Sequence, residues 1–173
     1  KVRRDTLESG ETVILNDFIS RLRFCYTLDD FYVVTIPDAA IIIALDCDNN
    51  LILKNEYRYC YDRDLIEAPA GALESDETDT LLTAKRELLE ETGYISDDWT
   101  YLGATIESSS KLSNYMHIYL ARGCKKVAGQ KLDATEELDV YLMPFEKAVE
   151  MVMNNEICCN SSANGILKTA RIL

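Results

Sequence analysis

The chain has 173 residues, of which 47% are apolar and 28% charged; that is the balance of an ordinary globular protein and enough for one domain with a buried core. Its formal charge of −12 argues against a nucleic-acid-binding surface and against attraction to anionic lipid, so an anionic substrate would need local arginines or metal ions. The longest apolar run, Ala39 to Leu45, is too short to cross a bilayer.

In chain order, the first dozen residues, KVRRDTLESGET, are polar and are read as a frayed end without chemistry. Val13 to Leu15, Arg21 to Tyr26 and Phe31 to Ile36 are rich in β-branched and aromatic residues and read as short strands. Pro37 interrupts them. Ala39 to Leu45, the turn DCDNN and Leu51 to Leu53 predict a hairpin whose first strand is buried on both faces of a mixed sheet. From Asp76 to Glu91 the period changes to that of a helix, with Leu81, Leu82, Ala84, Leu88 and Leu89 as its apolar stripe and Gly93 as its stop. Tyr101 to Ile106, Met116 to Ala121 and Leu138 to Met143 read as strands. Pro144 to Asn154 reads as a helix with Phe145, Ala148, Val149 and Val152 inward, and Ser161 to Leu173 as another with Ala163, Ile166, Leu167 and Ala170 inward. The expected organisation is a small β region at residues 1–37 before an α/β domain at 38–173.

Cys25, Cys47, Cys60, Cys124, Cys158 and Cys159 form no C-x-x-C pair, and His117 is the single histidine. Zinc is therefore not expected, and with no signal peptide ahead of them the thiols are expected reduced, in a cytoplasm. Asp46, Asp48 and Asn50 imitate the opening of an EF-hand loop. Leu51 stands where that loop needs glycine and Tyr57 where it needs its bidentate glutamate, so a hairpin turn is expected. Asn160-Ser161-Ser162 satisfies a glycosylation triplet that matters only in a secreted protein. His117, between Met116 and Ile118 in a strand pattern, is read as structural.

The chemistry concentrates in GALESDETDTLLTAKRELLEETGY, residues 71 to 94. Like charges three and four apart oppose a helix by a few tenths of a kcal/mol per pair, so Glu87, Glu90 and Glu91 in one turn need an offset. Arg86 can pair with Glu90, or a hard cation such as Mg2+ can take the carboxylates as oxygen ligands.

This stretch resembles the signature of the Nudix hydrolase superfamily: glycine, five residues, glutamate, seven residues, then R-E-U-x-E-E-x-G-U, with U a bulky apolar residue. Gly71 and Glu77 fit the first part. Arg86, Glu87, Leu88, Glu90, Glu91, Gly93 and Tyr94 fit all seven specified positions of the second. One departure stands out: eight residues, not seven, separate Glu77 from Arg86. The extra residue must be absorbed before or at the helix start, and counting back from the helix puts Thr78 in place of Glu77.

Upstream, LILKNEYRYCYDRDLIEAPAG resembles the tyrosine-arginine strand and E-x-P-A-G lead-in of the ADP-sugar pyrophosphatase branch. ATEELDVYLMPFEKAVEMV resembles its closing loop, strand and helix, while ESSSKLSN lacks a proline-glycine often found there. The resemblance implies an α/β/α sandwich with a mixed sheet, and Mg2+, with Mn2+ as substitute, held by Glu87, Glu90, Glu91 and the Ala70 carbonyl. Arg58 and Glu67 would shape the substrate site. A ring from Tyr57, Tyr59 or the N-terminal strands would stack on the base, and Glu136, with Glu137 a near alternative, would activate the water. A homodimer with a shared site is implied too. The expected reaction splits a nucleoside diphosphate sugar of the ADP-ribose kind into a nucleoside monophosphate and a sugar phosphate. The alternatives are hydrolysis of a dinucleotide or nucleoside triphosphate, or a sensor that binds ADP-ribose without cleaving it.

Overall fold

The structure is a computed structural model that describes residues 3–6, 12–15, 25–28, 31–75, 77–133 and 136–173. The chain divides into two compact units, one of Lys1–Ile36 with Ser108–Asn114, the other of Pro37–Glu107 with Tyr115–Leu173. In the first, β1 (Arg3–Thr6) pairs antiparallel with β2 (Thr12–Leu15), and β3 (Cys25–Leu28) with β4 (Phe31–Val34). The strand at Arg3–Thr6 corrects the expectation of a frayed end; its polar sequence lacked the apolar alternation that marks a half-buried strand. Residues 21–24 of the strand expected from Arg21 lie outside the described residues. Val34 bonds through its backbone to Lys111 and Ser113.

The second unit is built on a mixed sheet. β5 (Ala39–Asp46) runs antiparallel to β6 (Asn50–Arg58) through the predicted hairpin, and parallel to β11 (Tyr115–Lys126). β6 also pairs with β7 (Arg63–Glu67) and β12 (Leu138–Pro144), β5 with the short β8 (Ala70–Ala72), and β11 with β9 (Tyr94–Ile95) and β10 (Asp98–Ile106). In the hairpin turn the Asp46 carboxylate accepts from the backbone N–H groups of Asp48 and Asn50 at 2.9 and 2.8 Å, and Asn49 takes φ 59°. This is turn chemistry, not a calcium loop.

Strand residues alternate between two layers of core. Ile41, Ile43, Leu45, Leu51 and Leu53 pack with Phe145, Ala148 and Ile166 from α2 (Phe145–Met153) and α3 (Asn160–Ala170). Ala40, Ile42, Ala44 and Ile52 pack on the other side with Ala84 and Leu88. The first helix, α1, is Thr80–Glu87, continued by a π-helical turn at Leu88–Thr92. It starts later than Asp76, which lies outside the described residues, because the Asp79 side chain caps it by accepting from Leu81 N–H.

Two predicted helix faces need correction. Leu82 and Leu89 are exposed, so the inward stripe of the first helix is narrower than its leucines suggest. On α3, Leu167 and Ala170 face outward while Ser161, Ser162, Gly165, Ile166 and Thr169 are buried. The reason is close approach and hydrogen bonding: the Ser162 hydroxyl accepts from Ala68 N–H at 3.0 Å, and a Cβ on Gly165 would stand 2.6 Å from Ile43 Cδ1. Gly165→Val is therefore expected to overpack the α3–sheet contact and cost roughly 2 kcal/mol, read as a lower urea midpoint at unchanged m-value.

Candidate active site

The first helix delivers its carboxylates through a change of pitch. After Glu87 the backbone widens into the π turn, a device often found at functional sites. Gly93 ends it at φ 76°, donating its N–H to Leu89 O at 2.8 Å. A Cβ there would meet Ala128 O at 2.1 Å. Glu91 is only 2% exposed and Glu87 9%.

Each of these acids has a protein cation or N–H group. Arg86 donates to Glu77 Oε1 and Oε2 at 3.0 and 3.1 Å, to Glu87 Oε1 at 2.6 Å, to Glu90 Oε2 at 3.2 Å and to Ala72 O at 3.1 Å. Those hydrogen bonds hold the Glu77 carboxyl down at about 2. Glu77, not Thr78, therefore meets Arg86, and the extra residue is taken up in the non-helical segment before Thr80. Glu90 also lies 3.7 Å from the exposed Lys131. Glu91 accepts from Ala70 N–H at 3.0 Å and from the ammonium of Lys54. Burial pushes Glu91 up to about 7 despite Lys54, and raises Glu87 against the pull of Arg86, with Glu136 and Glu90 adding to the rise.

Lys54, Glu56 and Arg58 share one face of β6, the face of Ile52 that looks toward the first helix. Lys54 Nζ lies 2.8 Å from Glu56 Oε2, Arg58 Nη1 2.7 Å from Glu56 Oε1, and Arg58 Nε donates to Glu67 Oε2 at 3.0 Å. Charges thus alternate from Glu91 to Glu67. Sequence reading placed Arg58 and Glu67 together but passed over Lys54 and Glu56. The signal was there: a lysine inside LILKNEY, in phase with Ile52, has to find an acid.

The remaining candidates are more dispersed. Half-buried Tyr57 donates its hydroxyl to Asp62 and meets Tyr59 edge-on, ring centroids 5.0 Å apart; Tyr59 is exposed. Glu136 accepts at Oε2 from Asp133 N–H at 2.9 Å and is close enough to raise Glu87, whereas Glu137 is exposed. His117 stacks on Tyr101 and hydrogen-bonds its hydroxyl at 3.0 Å.

The NUDIX domain profile matches residues 35–157. The chain belongs to the Nudix family. It is 32% identical over 126 residues to the methanol dehydrogenase activator of Bacillus methanolicus, and 30% identical over 126 residues to the ADP-ribose pyrophosphatase of Bacillus subtilis. Each match covers 72% of this chain and 68% of the relative. A crystal structure of an ADP compounds hydrolase superposes with a TM-score of 0.72 at 18% identity, covering 99% of this chain and 84% of that one. The likeness of fold confirms the Nudix α/β/α sandwich, and membership makes the chain a pyrophosphohydrolase.

Nudix hydrolases generally use divalent metal ions. Among the described residues no three acids, histidines or cysteines stand together as a finished metal cage. The donor set nevertheless fits a hard cation: Glu56, Glu67, Glu77, Glu87, Glu90 and Glu91 face Lys54, Arg58, Arg86 and Lys131, so carboxylates outnumber cations. Gly71 leaves the space this needs, because a Cβ there would lie 2.1 Å from Glu87 Cδ. Gly71→Ala is expected to displace that carboxylate and lower kcat by about 10²-fold, with little change in the thermal midpoint. Steady-state kinetics beside a melting curve separates the two effects.

No helix among the described residues is long and apolar enough to cross a membrane.

Proposed function

We propose that this Nudix enzyme hydrolyses the diphosphate of a nucleoside diphosphate sugar of the ADP-ribose type, releasing a nucleoside monophosphate and a sugar phosphate. One observation carries the reading: the carboxylates of the first helix and the Arg58–Glu67 pair stand along the same face of β6, joined through Lys54 and Glu56. The inner part of that face is buried, and a diphosphate at the helix carboxylates would have its nucleoside toward the more exposed Arg58. The Bacillus subtilis relative, an ADP-ribose pyrophosphatase, supports the substrate class.

In this reading Glu87, Glu90, Glu91 and the Ala70 carbonyl hold Mg2+, with Mn2+ as substitute. The bound cation supplies positive charge for the diphosphate oxygens and acidifies a water. Arg58, oriented by Glu56 and Glu67, gives the substrate a fixed donor fork. Tyr57 and Tyr59 stand out of phase with Arg58 and, at the end of β6, offer ring surface only to a base that reaches past the strand's edge. Glu136, whose charge is felt at Glu87, takes the proton of the attacking water. Residues 1–37 serve as a dimerisation element and residues 38–173 as the catalytic domain, and the enzyme works in the cytoplasm as a homodimer.

The test is a panel: purified protein with Mg2+ against ADP-ribose, ADP-glucose, GDP-mannose, a dinucleoside polyphosphate and nucleoside triphosphates, with Glu136→Gln alongside. Release of AMP from ADP-ribose, slowed about 10²-fold or more in Glu136→Gln, is expected. Turnover confined to triphosphates would refute the substrate class, and an unaffected variant would remove Glu136 from its role.

A further inference from the structure

Lys54 is the largest fully buried side chain of the described residues, 1% exposed. It interrupts the apolar run Leu51, Ile52, Leu53 and points, with Ile52, toward the first helix. Stripping water from an ammonium costs several kcal/mol unless acids surround it. Two do, and they are Glu91 and Glu56. Arg86 serves Glu77, Glu87 and Glu90 and does not reach Glu91; among the described residues Lys54 is the cation within ion-pair distance of that carboxylate. Ala70 N–H holds the other oxygen.

The consequence follows from Coulomb's law. A buried carboxylate that ligates a metal loses its partner each time the metal leaves, and a bare buried charge is costly. A lysine built into the neighbouring strand removes that cost. The same lysine sets a fixed positive charge one carboxylate away from the incoming cation, and repels it. We propose that Lys54 is a resident counter-ion of Glu91, which keeps that carboxylate seated against Ala70 between metal-binding events and weakens the site's hold on its divalent cation. This rests on the reading of Glu91 as a metal ligand. Lys54 acts through Glu91 and is a positioning residue.

The test compares the wild-type chain with Lys54→Met, measuring Mn2+ affinity by the free-ion electron paramagnetic resonance signal and thermal midpoints in EDTA and in Mn2+. Lys54→Met is expected to bind Mn2+ about tenfold or more tightly, to melt lower in EDTA, and to gain more from Mn2+ than the wild type does. In a Glu91→Gln background the same substitution is expected to have clearly smaller effects, because only the pairing with Glu56 and the direct repulsion of the cation remain. Equal Mn2+ affinity in wild type and Lys54→Met, or undiminished effects in the Glu91→Gln background, would overturn the proposal while leaving the metal reading in place. No Mn2+ binding by either protein would overturn the metal reading, and the antagonism with it. If the methionine variant does not fold, Lys54→Gln carries the same comparison.

Discussion

Glu91→Gln will lower kcat by about 10²- to 10³-fold with a much smaller change in KM. The amide still accepts the Ala70 N–H bond, so the loop before Gly71 keeps its place. What is lost is the negative charge that would fix a divalent cation over the diphosphate. Interactions that strengthen only as charge develops on the phosphoryl oxygens appear in kcat and not in KM. Steady-state kinetics on ADP-ribose checks this, and a variant that keeps more than a tenth of the activity would remove Glu91 from the site.

Arg86→Met will be the most destabilising single change in the site, by about 3 kcal/mol. One guanidinium binds Glu77, Glu87, Glu90 and the carbonyl of Ala72, tying the loop before the helix to the helix itself. Methionine fills much of the same volume but strands three carboxylates that are each less than a third exposed. For a chain of this size the thermal midpoint should fall by about 6–12 °C. Adding Glu77→Gln should restore part of it, because the strongest pair is then gone from both sides. A fall of only a degree or two would mean that solvent already screens the cluster.

Much of this site was legible in the sequence because its chemistry follows local spacing. Arg86, Glu87, Glu90 and Glu91 occupy one helix and need no tertiary information to be grouped, while Gly93 marks backbone that tolerates no side chain and Gly71 a place where one would displace Glu87. Glu77 was ambiguous because counting along a loop says little about direction; the bidentate contact with Arg86 decides it. Lys54 and Glu56 escaped notice for a different reason. Their partners lie 37 residues away for Lys54 and on the same strand for Glu56, and a strand reading that attends to apolar alternation treats a charge as an interruption. The outward-facing Leu82, Leu89 and Leu167 show the converse error, in which leucine is taken for burial. On α3 the buried face mixes Ile166 with serine, glycine and threonine, because at Gly165 the helix sits too close to the sheet for a side chain.

The π turn at Leu88–Thr92 has a consequence for how this helix tolerates change in length. A π turn carries one more residue than an α turn of the same span. Deleting Leu89 would let the helix regularise and gain ordinary i→i−4 bonds. It would also take Glu91 off the widened backbone and change its angle about the axis relative to Arg86 and Glu87. Glu91 would leave Lys54 and Ala70, and the tidier helix would belong to a poorer catalyst. The irregularity is thus a register mark: insertions and deletions before Thr80 are absorbed by a loop, while those after Glu87 are not.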